Sequence, residues 1–274
     1  MKVAARVGCI FHRGRTMFLT DSQWEQYERD GFLRLGRVLS DDELNGLRER
    51  IDAIMLGTSP TDPARLLMQL DSKDGAYENA GVQSLGWKGA TLDYRKIQNL
   101  EFDPLFLEFL QKPIFEEICA HVYGPETPIA AFRSMFMNKP AHQGTRLPWH
   151  QDRWNYLDRD PLITVWTALD PATRANGCVE IVPGSHHELL NPEHGSGFLK
   201  PEQAQAAAEG NTEFLELEAG EAVLLHNWLL HASDVNRTNI PRRAFSVCYM
   251  DADTIASNNE KFSTVFGEGA LVTA

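Results

Sequence analysis

Two histidines and one aspartate are spaced so that they could bind the same metal ion. His150 and Asp152 are separated by one residue, and on a β-strand residues i and i+2 point to the same side. A third ligand could come from His231, on an adjacent strand. Two imidazoles and one carboxylate on one face of an octahedral ion form the facial triad that holds non-haem Fe(II) and leaves positions open for O₂ chemistry. His150, Asp152 and His231 are therefore the predicted metal ligands and catalytic centre.

An arginine beyond the third predicted ligand could bind a co-substrate. The guanidinium of Arg242 is suited to hold the far carboxylate of 2-oxoglutarate by a bidentate pair. His226 competes with His231 for the metal, but the two are five positions apart, an odd offset, so a regular strand would direct them to opposite sides. We therefore expect His226 to be a packed or hydrogen-bonded histidine. His186 and His187 follow a Pro-Gly-Ser turn and are expected at the surface or in a lid.

The composition predicts one acidic domain in the cytoplasm. The chain has 274 residues, 43% of them hydrophobic, which is enough for one sizeable core. Four cysteines lie far apart without a CxxC pair, which favours reduced thiols over disulfides or zinc ligands. No apolar run approaches the roughly 18 residues of a membrane span. The formal net charge of −12 disfavours nucleic acid and anionic membranes and favours a neutral or cationic small molecule, although it could serve solubility alone.

The first residues differ from the rest of the chain. Residues 1–16 carry four basic side chains and no acid. Their apolar stretch is too short for a convincing secretory signal, so we expect a disordered extension or the product of an upstream start codon, with a targeting leader as the alternative. A single domain is predicted over residues 17–274.

The pattern of elements that must position these residues changes along the chain. The first half predicts a helix from a cap at Thr20 to Gly31, a second helix from the capping box of Ser40 and Glu43, and a helical stretch over 104–123. The second half predicts short strands separated by Pro, Gly, Asn and Asp turns, over 129–138, 162–168, 178–182, 214–218, 222–225 and 244–250. This pattern favours a mainly β fold, a β-sandwich or jelly roll with the early helices packed outside.

Six short segments carry a resemblance to a known family when they are taken in order. They are 135–140 (MFMNKP), 148–152 (PWHQD), 166–170 (WTALD), 176–178 (NGC), 182–186 (VPGSH) and 231–242 (HASDVNRTNIPR). The set resembles the phytanoyl-CoA dioxygenase family of Fe(II)/2-oxoglutarate oxygenases, over roughly residues 20–249. The resemblance implies a double-stranded β-helix, a cupin-like jelly roll.

The resemblance also implies roles for individual residues. The three predicted metal ligands match the family's iron ligands. The co-substrate 2-oxoglutarate is expected to contact Arg242 through its C5 carboxylate, with Ser233, Lys96, Met135 and Trp166 around it. Lys96 could instead be a solvated lysine, because the spacing around it varies. The implied reaction converts 2-oxoglutarate and O₂ to succinate and CO₂ and abstracts a hydrogen atom from the substrate, which gives hydroxylation or a further oxidation such as ring closure.

The residue at position 152 separates two branches of this chemistry. Related halogenases have a small residue there, which frees a site on iron for chloride, whereas this chain has Asp152. We therefore expect oxygenation and not halogenation.

The substrate is predicted from the residues beside the metal ligands. The predicted contacts are aromatic, basic or amide side chains: Arg153, Trp154, Tyr156, Asn227 and Trp228. Flat aromatic faces with hydrogen-bonding groups suit a polar small molecule, and we expect a sugar-containing natural-product intermediate of antibiotic biosynthesis. The alternatives are a hydroxylase of a small amino acid, phosphonate or alkaloid, and a non-oxidative cupin-type metal-binding protein. Trp154 and Trp228 could also be core aromatics.

Overall fold

The computed structural model describes residues 18–195 and 197–273, so the expected extension at 1–16 lies outside the described residues. The helices are α1 (Asp21–Asp30), α2 (Asp41–Leu56), α3 (Pro104–Leu110), α4 (Pro113–Tyr123) and α5 (Pro201–Ala208). The strands are β1 (Phe32–Arg37), β2 (Leu67–Leu70), β3 (Ser84–Leu85), β4 (Tyr94–Gln98), β5 (Ile129–Lys139), β6 (Leu147–His150), β7 (Ile163–Ala168), β8 (Val179–Ile181), β9 (Glu213–Leu215), β10 (Glu221–His226), β11 (His231–Ser233), β12 (Arg242–Asp251) and β13 (Ser263–Phe266). Among the described helices, none is both long and apolar enough to cross a membrane.

Local sequence signals determine where the first two helices begin and end. Thr20 caps α1 and Ser40 caps α2, each in a capping box with the residue three positions later, which confirms both predicted starts. Gly31 ends α1 and Gly57 ends α2, with φ of 79° and 74°. These values lie in the left-handed region, where a residue with a side chain would be strained.

The helical stretch predicted over 104–123 is two helices in the structure. It breaks between α3 and α4 at Lys112, directly before Pro113. The proline ring disfavours helical geometry at the preceding residue and removes one hydrogen-bond donor, so a new helix begins at the proline.

The strands form two antiparallel sheets. The larger sheet has the order β1-β10-β7-β12-β5-β4-β2-β3, with β13 paired to β5, and the smaller has the order β6-β11-β8-β9. The helices α1 to α4 pack on the outer face of the larger sheet in the main core, and a second core with Trp166 and Ile181 lies between the sheets. This three-layer arrangement confirms the predicted jelly roll with flanking helices.

One irregularity of the larger sheet bears on the functional site. Gln69 of β2 pairs with Lys96 of β4, but the next residue, Leu70, pairs with Tyr94. Arg95 is therefore an extra residue in β4, a β-bulge.

Candidate metal centre and co-substrate pocket

Two of the predicted metal ligands are direct neighbours across a pair of strands. His150 ends β6, His231 begins β11, and the two residues pair in the antiparallel ladder. Their ring centroids lie 4.1 Å apart. The Nδ1 of His150 hydrogen-bonds the carbonyl of Pro148 at 2.8 Å, and the Nδ1 of His231 hydrogen-bonds the carbonyl of Leu229 at 2.9 Å. With the proton held on Nδ1, each ring presents the Nε2 lone pair that a metal requires.

The third ligand reaches the same point from a loop and not from a strand. The sequence pattern predicts that His150 and Asp152 lie on one strand, but β6 ends at His150. The backbone N–H of Asp152 instead donates to the carbonyl of Asn227 at 2.7 Å, which fixes the loop. The carboxylate then lies 3.7 Å from the Nε2 of His150 and 4.0 Å from that of His231.

Gln151, between the two ligands, joins three loops around the centre. Its side chain is fully buried, and its Nε2 donates to the carbonyls of Glu188 at 2.8 Å and Trp228 at 2.7 Å. Its Oε1 accepts from the N–H of Leu190 at 2.8 Å. The side chain of Gln151 therefore connects the segment of Asp152 to the loop that precedes His231.

The donor set fits a divalent metal ion. The ligand atoms of His150, Asp152 and His231 all lie within 4.8 Å of one another. Burial and the neighbouring His231 lower the pKa of His150 well below its ordinary value, so this imidazole stays neutral. Burial raises the pKa of Asp152, because its carboxylate lies in a poorly solvated site. A cation between these groups would offset the cost of burying that charge, and the set of two imidazoles and a carboxylate suits Fe(II).

The predicted co-substrate residue Arg242 is a buried cation without a partner at two of its nitrogens. It begins β12, is 2% exposed, and its Nε and Nη1 have no hydrogen-bond acceptor among the described residues. Its guanidinium carbon lies 5.5 Å from the ring centre of Trp166. Burial lowers the pKa of Arg242 to about 10. A carboxylate, such as the C5 carboxylate of 2-oxoglutarate, would satisfy this fork.

A small cavity surrounds Arg242. Its lining residues are Arg95, Lys96, Met137, Asn138, Lys139, Thr145, Leu147, Ser233 and Arg242. Three of the five predicted co-substrate residues thus line one cavity. Lys96 is half-buried, and burial, followed by the charges of Arg95 and Arg133, lowers its pKa to about 8.

Several lining residues are absent from the sequence-based prediction. Met137 lies two residues after the predicted Met135 on β5, so both are on one face of the strand, and Met137 is the one that lines the cavity. The alternation of β5 was a signal that could have identified it. Arg95 and Thr145 had no such signal, because a bulge and a loop bring them there.

The predicted substrate contacts lie in different surroundings. The Nη1 of Arg153 donates to the carbonyl of Pro192 at 2.6 Å. The ring of Trp154 packs edge-on against Phe132 at 4.6 Å, and the hydroxyl of Tyr156 accepts from Arg133 at 2.7 Å. Trp154 and Tyr156 are therefore partly engaged in an aromatic cluster with Phe132.

Asn227 differs from the prediction of a substrate contact. It is 2% exposed, its Nδ2 donates to Pro161 at 3.0 Å and to Cys248 at 3.1 Å, and its Oδ1 accepts from Thr164 at 2.8 Å. Since both ends of the amide already have partners, its role in this fold is structural. Trp228 donates through Nε1 to Asp160 at 3.3 Å, beside a separate cavity of about 340 Å³.

Aromatic rings from two distant loops approach the metal centre. Phe198 stacks on His150 with ring centroids 5.0 Å apart and an interplanar angle of 21°. Tyr77 and His194 contact the same phenylalanine at 5.4 Å and 5.7 Å. No local pattern marks these residues, because only the folded loops bring them to His150.

His226, His186 and His187 lie outside the group of three ligands. His226 accepts from the N–H of Trp228 through Nδ1 at 3.0 Å, and burial lowers its pKa to about 4. His186 packs 5.0 Å from His226 and is buried, contrary to the surface position expected for it. His187 is exposed.

Comparison with known proteins identifies the family and confirms the fold. The phytanoyl-CoA dioxygenase family pattern matches residues 27–244. A probable phytanoyl-CoA dioxygenase of Caenorhabditis elegans is 27% identical over 258 residues, covering 90% of this chain and 80% of that protein. The peroxisomal phytanoyl-CoA dioxygenase of Homo sapiens is 26% identical over 253 residues, covering 86% of this chain and 69% of that protein.

Solved structures share the same architecture at lower identity. SnoK, a non-haem α-ketoglutarate-dependent carbocyclase from nogalamycin biosynthesis, gives a TM-score of 0.66 at 19% identity, with 89% of each chain covered. EctD from S. alaskensis, solved with 2-oxoglutarate and 5-hydroxyectoine, gives a TM-score of 0.65 at 19% identity, with 97% of this chain and 87% of that chain covered. SnoN, an epimerase solved with Fe³⁺, α-ketoglutarate and nogalamycin RO, gives a TM-score of 0.66 at 16% identity, with 91% of this chain and 96% of that chain covered.

The jelly roll, the His-Asp-His site and the family match together define an Fe(II)/2-oxoglutarate-dependent dioxygenase. The chain belongs to the phytanoyl-CoA dioxygenase family.

Proposed function

We propose that this dioxygenase oxidises a polar small molecule, a sugar-containing intermediate of antibiotic biosynthesis, by hydroxylation or oxidative cyclisation. The observation that carries the oxygenase chemistry is the convergence of three ligand atoms beside a buried arginine with an unpaired fork. The similarity to SnoK and SnoN supports the natural-product setting, because both act in or bind molecules of the nogalamycin series.

In this proposal His150, Asp152 and His231 hold Fe(II). When bound, the metal with 2-oxoglutarate and O₂ supplies the oxidant that removes a hydrogen atom from the substrate. The chain's own residues orient the reactants. The carbonyls of Pro148 and Leu229 hold the imidazole protons on Nδ1, which keeps both Nε2 atoms available as ligands.

The co-substrate is held, in the same proposal, by the cavity around Arg242. The fork of Arg242 pairs with the C5 carboxylate, and the hydroxyl of Ser233 donates to it. The ammonium of Lys96 adds a positive charge on the same side, and the ring of Trp166 beside Arg242 and the thioether of Met137 exclude water from the pocket. Exclusion of water strengthens the electrostatic contacts at the reacting centre.

The substrate, as proposed, approaches on the side where loops surround the metal. We propose that Arg153, Trp154, Tyr156 and Trp228 from the predicted set contact the substrate, and that Phe198, which stacks on His150, provides a further ring. Rings stacked beside His150 suit the faces of a sugar or another ring system. Buried free thiols, Cys119, Cys178 and Cys248, support a reducing, cytoplasmic setting for the reaction.

A second candidate is hydroxylation of a small metabolite such as an amino acid. The match to EctD, a structure that contains 5-hydroxyectoine, favours this reading of the substrate. A phosphonate or an alkaloid belongs to the same alternative, whereas the family match argues against a non-oxidative cupin-type protein.

The test is succinate release by iron-loaded protein that has been purified without O₂ and then given 2-oxoglutarate and O₂. Sugar-containing metabolites and small amino acids are supplied as two separate panels. Stimulation by a member of the first panel, with a product heavier by one oxygen or lighter by two hydrogens, supports the proposal. Stimulation by the second panel alone supports the EctD-like alternative. Protein that binds iron but releases no succinate in any mixture would contradict both.

A further inference from the structure

We propose that Arg95 is a second arginine of the co-substrate pocket, where it binds the C5 carboxylate of 2-oxoglutarate together with Arg242. This inference rests on the proposed assignment of the cavity to 2-oxoglutarate. It adds a specificity-determining residue that neither the facial triad nor the Arg242 pattern contains.

The β-bulge of β4 brings Arg95 into the cavity. On a regular strand Arg95 and Lys96 would point to opposite faces of the sheet. Because Arg95 is the extra residue between the pairs of Lys96 and Tyr94, the alternation is interrupted, and both basic side chains line the same cavity. Bulges near active sites commonly redirect one side chain in this way.

The contacts of Arg95 hold it in place without occupying most of its fork. The residue is 8% exposed, and its Nη1 donates to the Oε1 of Gln69 at 2.9 Å. Its guanidinium carbon lies 5.1 Å from the ring centre of Tyr77. An arginine has five N–H donors, so this single hydrogen bond among the described residues leaves the greater part of the fork for an acceptor in the cavity.

The charge around the cavity is unbalanced without an anionic ligand. Four basic residues line it, namely Arg95, Lys96, Lys139 and Arg242. Burial lowers the pKa of Arg95, and the charge of Arg95 contributes to the lowered pKa of both Lys96 and Arg242. The carboxylate of Asp71 lies close enough to raise the pKa of Arg95 and Arg242, and its buried Oδ2 has no hydrogen-bond partner among the described residues, so it offsets part of this charge. An incoming carboxylate would therefore relieve repulsion among cations that the protein alone does not neutralise.

The fourth cation is not free to bind the carboxylate in the same way. The Nζ of Lys139 donates to the carbonyl of Thr145 at 2.6 Å. Its stem passes between Gly144 and Gly177, where an added Cβ would lie 2.7 Å and 2.8 Å from carbons of the lysine. Lys139 is therefore held in place by its own hydrogen bond, and burial lowers its pKa well below the ordinary lysine value, whereas Arg95 keeps most of its N–H donors free among the described residues.

The test compares two keto acids that differ only at the proposed contact. Binding of 2-oxoglutarate and of 2-oxopentanoate, which has the same carbon chain but no C5 carboxylate, is measured by calorimetry on Mn(II)-loaded full-length protein without O₂. For Arg95→Gln we expect the Kd of 2-oxoglutarate to rise about 10- to 100-fold, as for loss of a charge-assisted hydrogen bond, with little change for 2-oxopentanoate. Arg95→Lys keeps the charge and should recover part of the affinity.

Matched variants separate the possible outcomes. Arg65→Gln removes an arginine that also stacks on a ring, Phe102 at 3.8 Å, but lies outside the cavity, and it should bind both acids as the parent protein does. An unchanged Kd for 2-oxoglutarate in Arg95→Gln, or an equal loss for both keto acids, would overturn the inference. If Arg242→Gln likewise leaves the Kd unchanged, the proposed assignment of the cavity fails as well. If only Arg242→Gln weakens binding, the assignment stands and Arg95 is excluded.

Discussion

Replacement of Arg242 by methionine should stabilise the protein when no co-substrate is present. Two of the nitrogens of Arg242 are buried without an acceptor, and burial lowers its pKa to about 10. That shift corresponds to roughly 3 kcal/mol against the charged form. The contact with Trp166 at 5.5 Å, worth about 1 kcal/mol, would be lost. The free energy of unfolding should therefore rise by about 1–2 kcal/mol, which raises Tm by about 2–6 °C for a chain of this size.

The same change should abolish the stabilising effect of 2-oxoglutarate. A ligand at about 100 times its Kd stabilises the folded state by about 2.7 kcal/mol, so the parent protein should gain this amount and the variant almost none. Thermal unfolding of Mn(II)-loaded protein, with and without 2-oxoglutarate, measures both effects. The variant should melt above the parent protein without ligand and below it with ligand.

The neighbouring Arg243 provides the matched control. Its Nε donates to Asp170 at 2.8 Å and its Nη1 to Asp52 at 2.7 Å, and these partners raise its pKa. Arg243→Met should lower Tm in both conditions, because it leaves the carboxylate of Asp170 without its principal partner. If Arg242→Met also melts below the parent protein without ligand, the reasoning that Arg242 is an unpaired buried charge is refuted.

Three further predictions concern residues around the metal centre and the co-substrate cavity. His226→Ala should still bind about one iron per chain in a colorimetric assay, because the His226 ring accepts from the N–H of Trp228 and lies outside the ligand cluster. A loss of iron as large as that in His231→Ala would show that His226, and not His231, is the ligand. Gln151→Ala should lower the free energy of unfolding by about 2–5 kcal/mol in urea titrations, since buried backbone groups of three loops lose their hydrogen-bond partner. A loss below about 1 kcal/mol would mean that water replaces the amide as that partner. The affinity for 2-oxoglutarate should fall as pH rises through about 8, because the lowered pKa of Lys96 leaves it charged below that pH and neutral above it. Lys96→Met should lack this step in a calorimetric pH series, and a step of the same size in the variant would assign it to another group.

The sequence predicts those features that depend on neighbours along the chain. Capping boxes at Thr20 and Ser40 locate two helices because the interacting atoms are three residues apart. Short runs between Pro, Gly, Asn and Asp turns predict the strands, and the ordered motifs predict the jelly roll and the family.

Features that depend on distant segments escape prediction. Asp152 reaches the metal from a loop held by the carbonyl of Asn227, although the spacing alone suggests a strand. Phe198 stacks on His150, and Arg95 enters the cavity through a bulge, without any local pattern. The net charge of −12 does not predict the basic lining of this cavity either, because a sum over the whole chain does not describe the local electric field.

The pairing of His150 with His231 in one ladder has a consequence for how this enzyme could be altered. Hydrogen bonds between β6 and β11 set the distance between the two imidazoles, whatever the length of the chain between them. The loop between β8 and α5 can therefore change in length without altering this distance, provided that the contacts of Gln151 and the pairing and stacking of Phe198 against His150 are kept. Transplanting loops from other members of the fold is thus a practical route to new substrates, with the iron chemistry inherited unchanged.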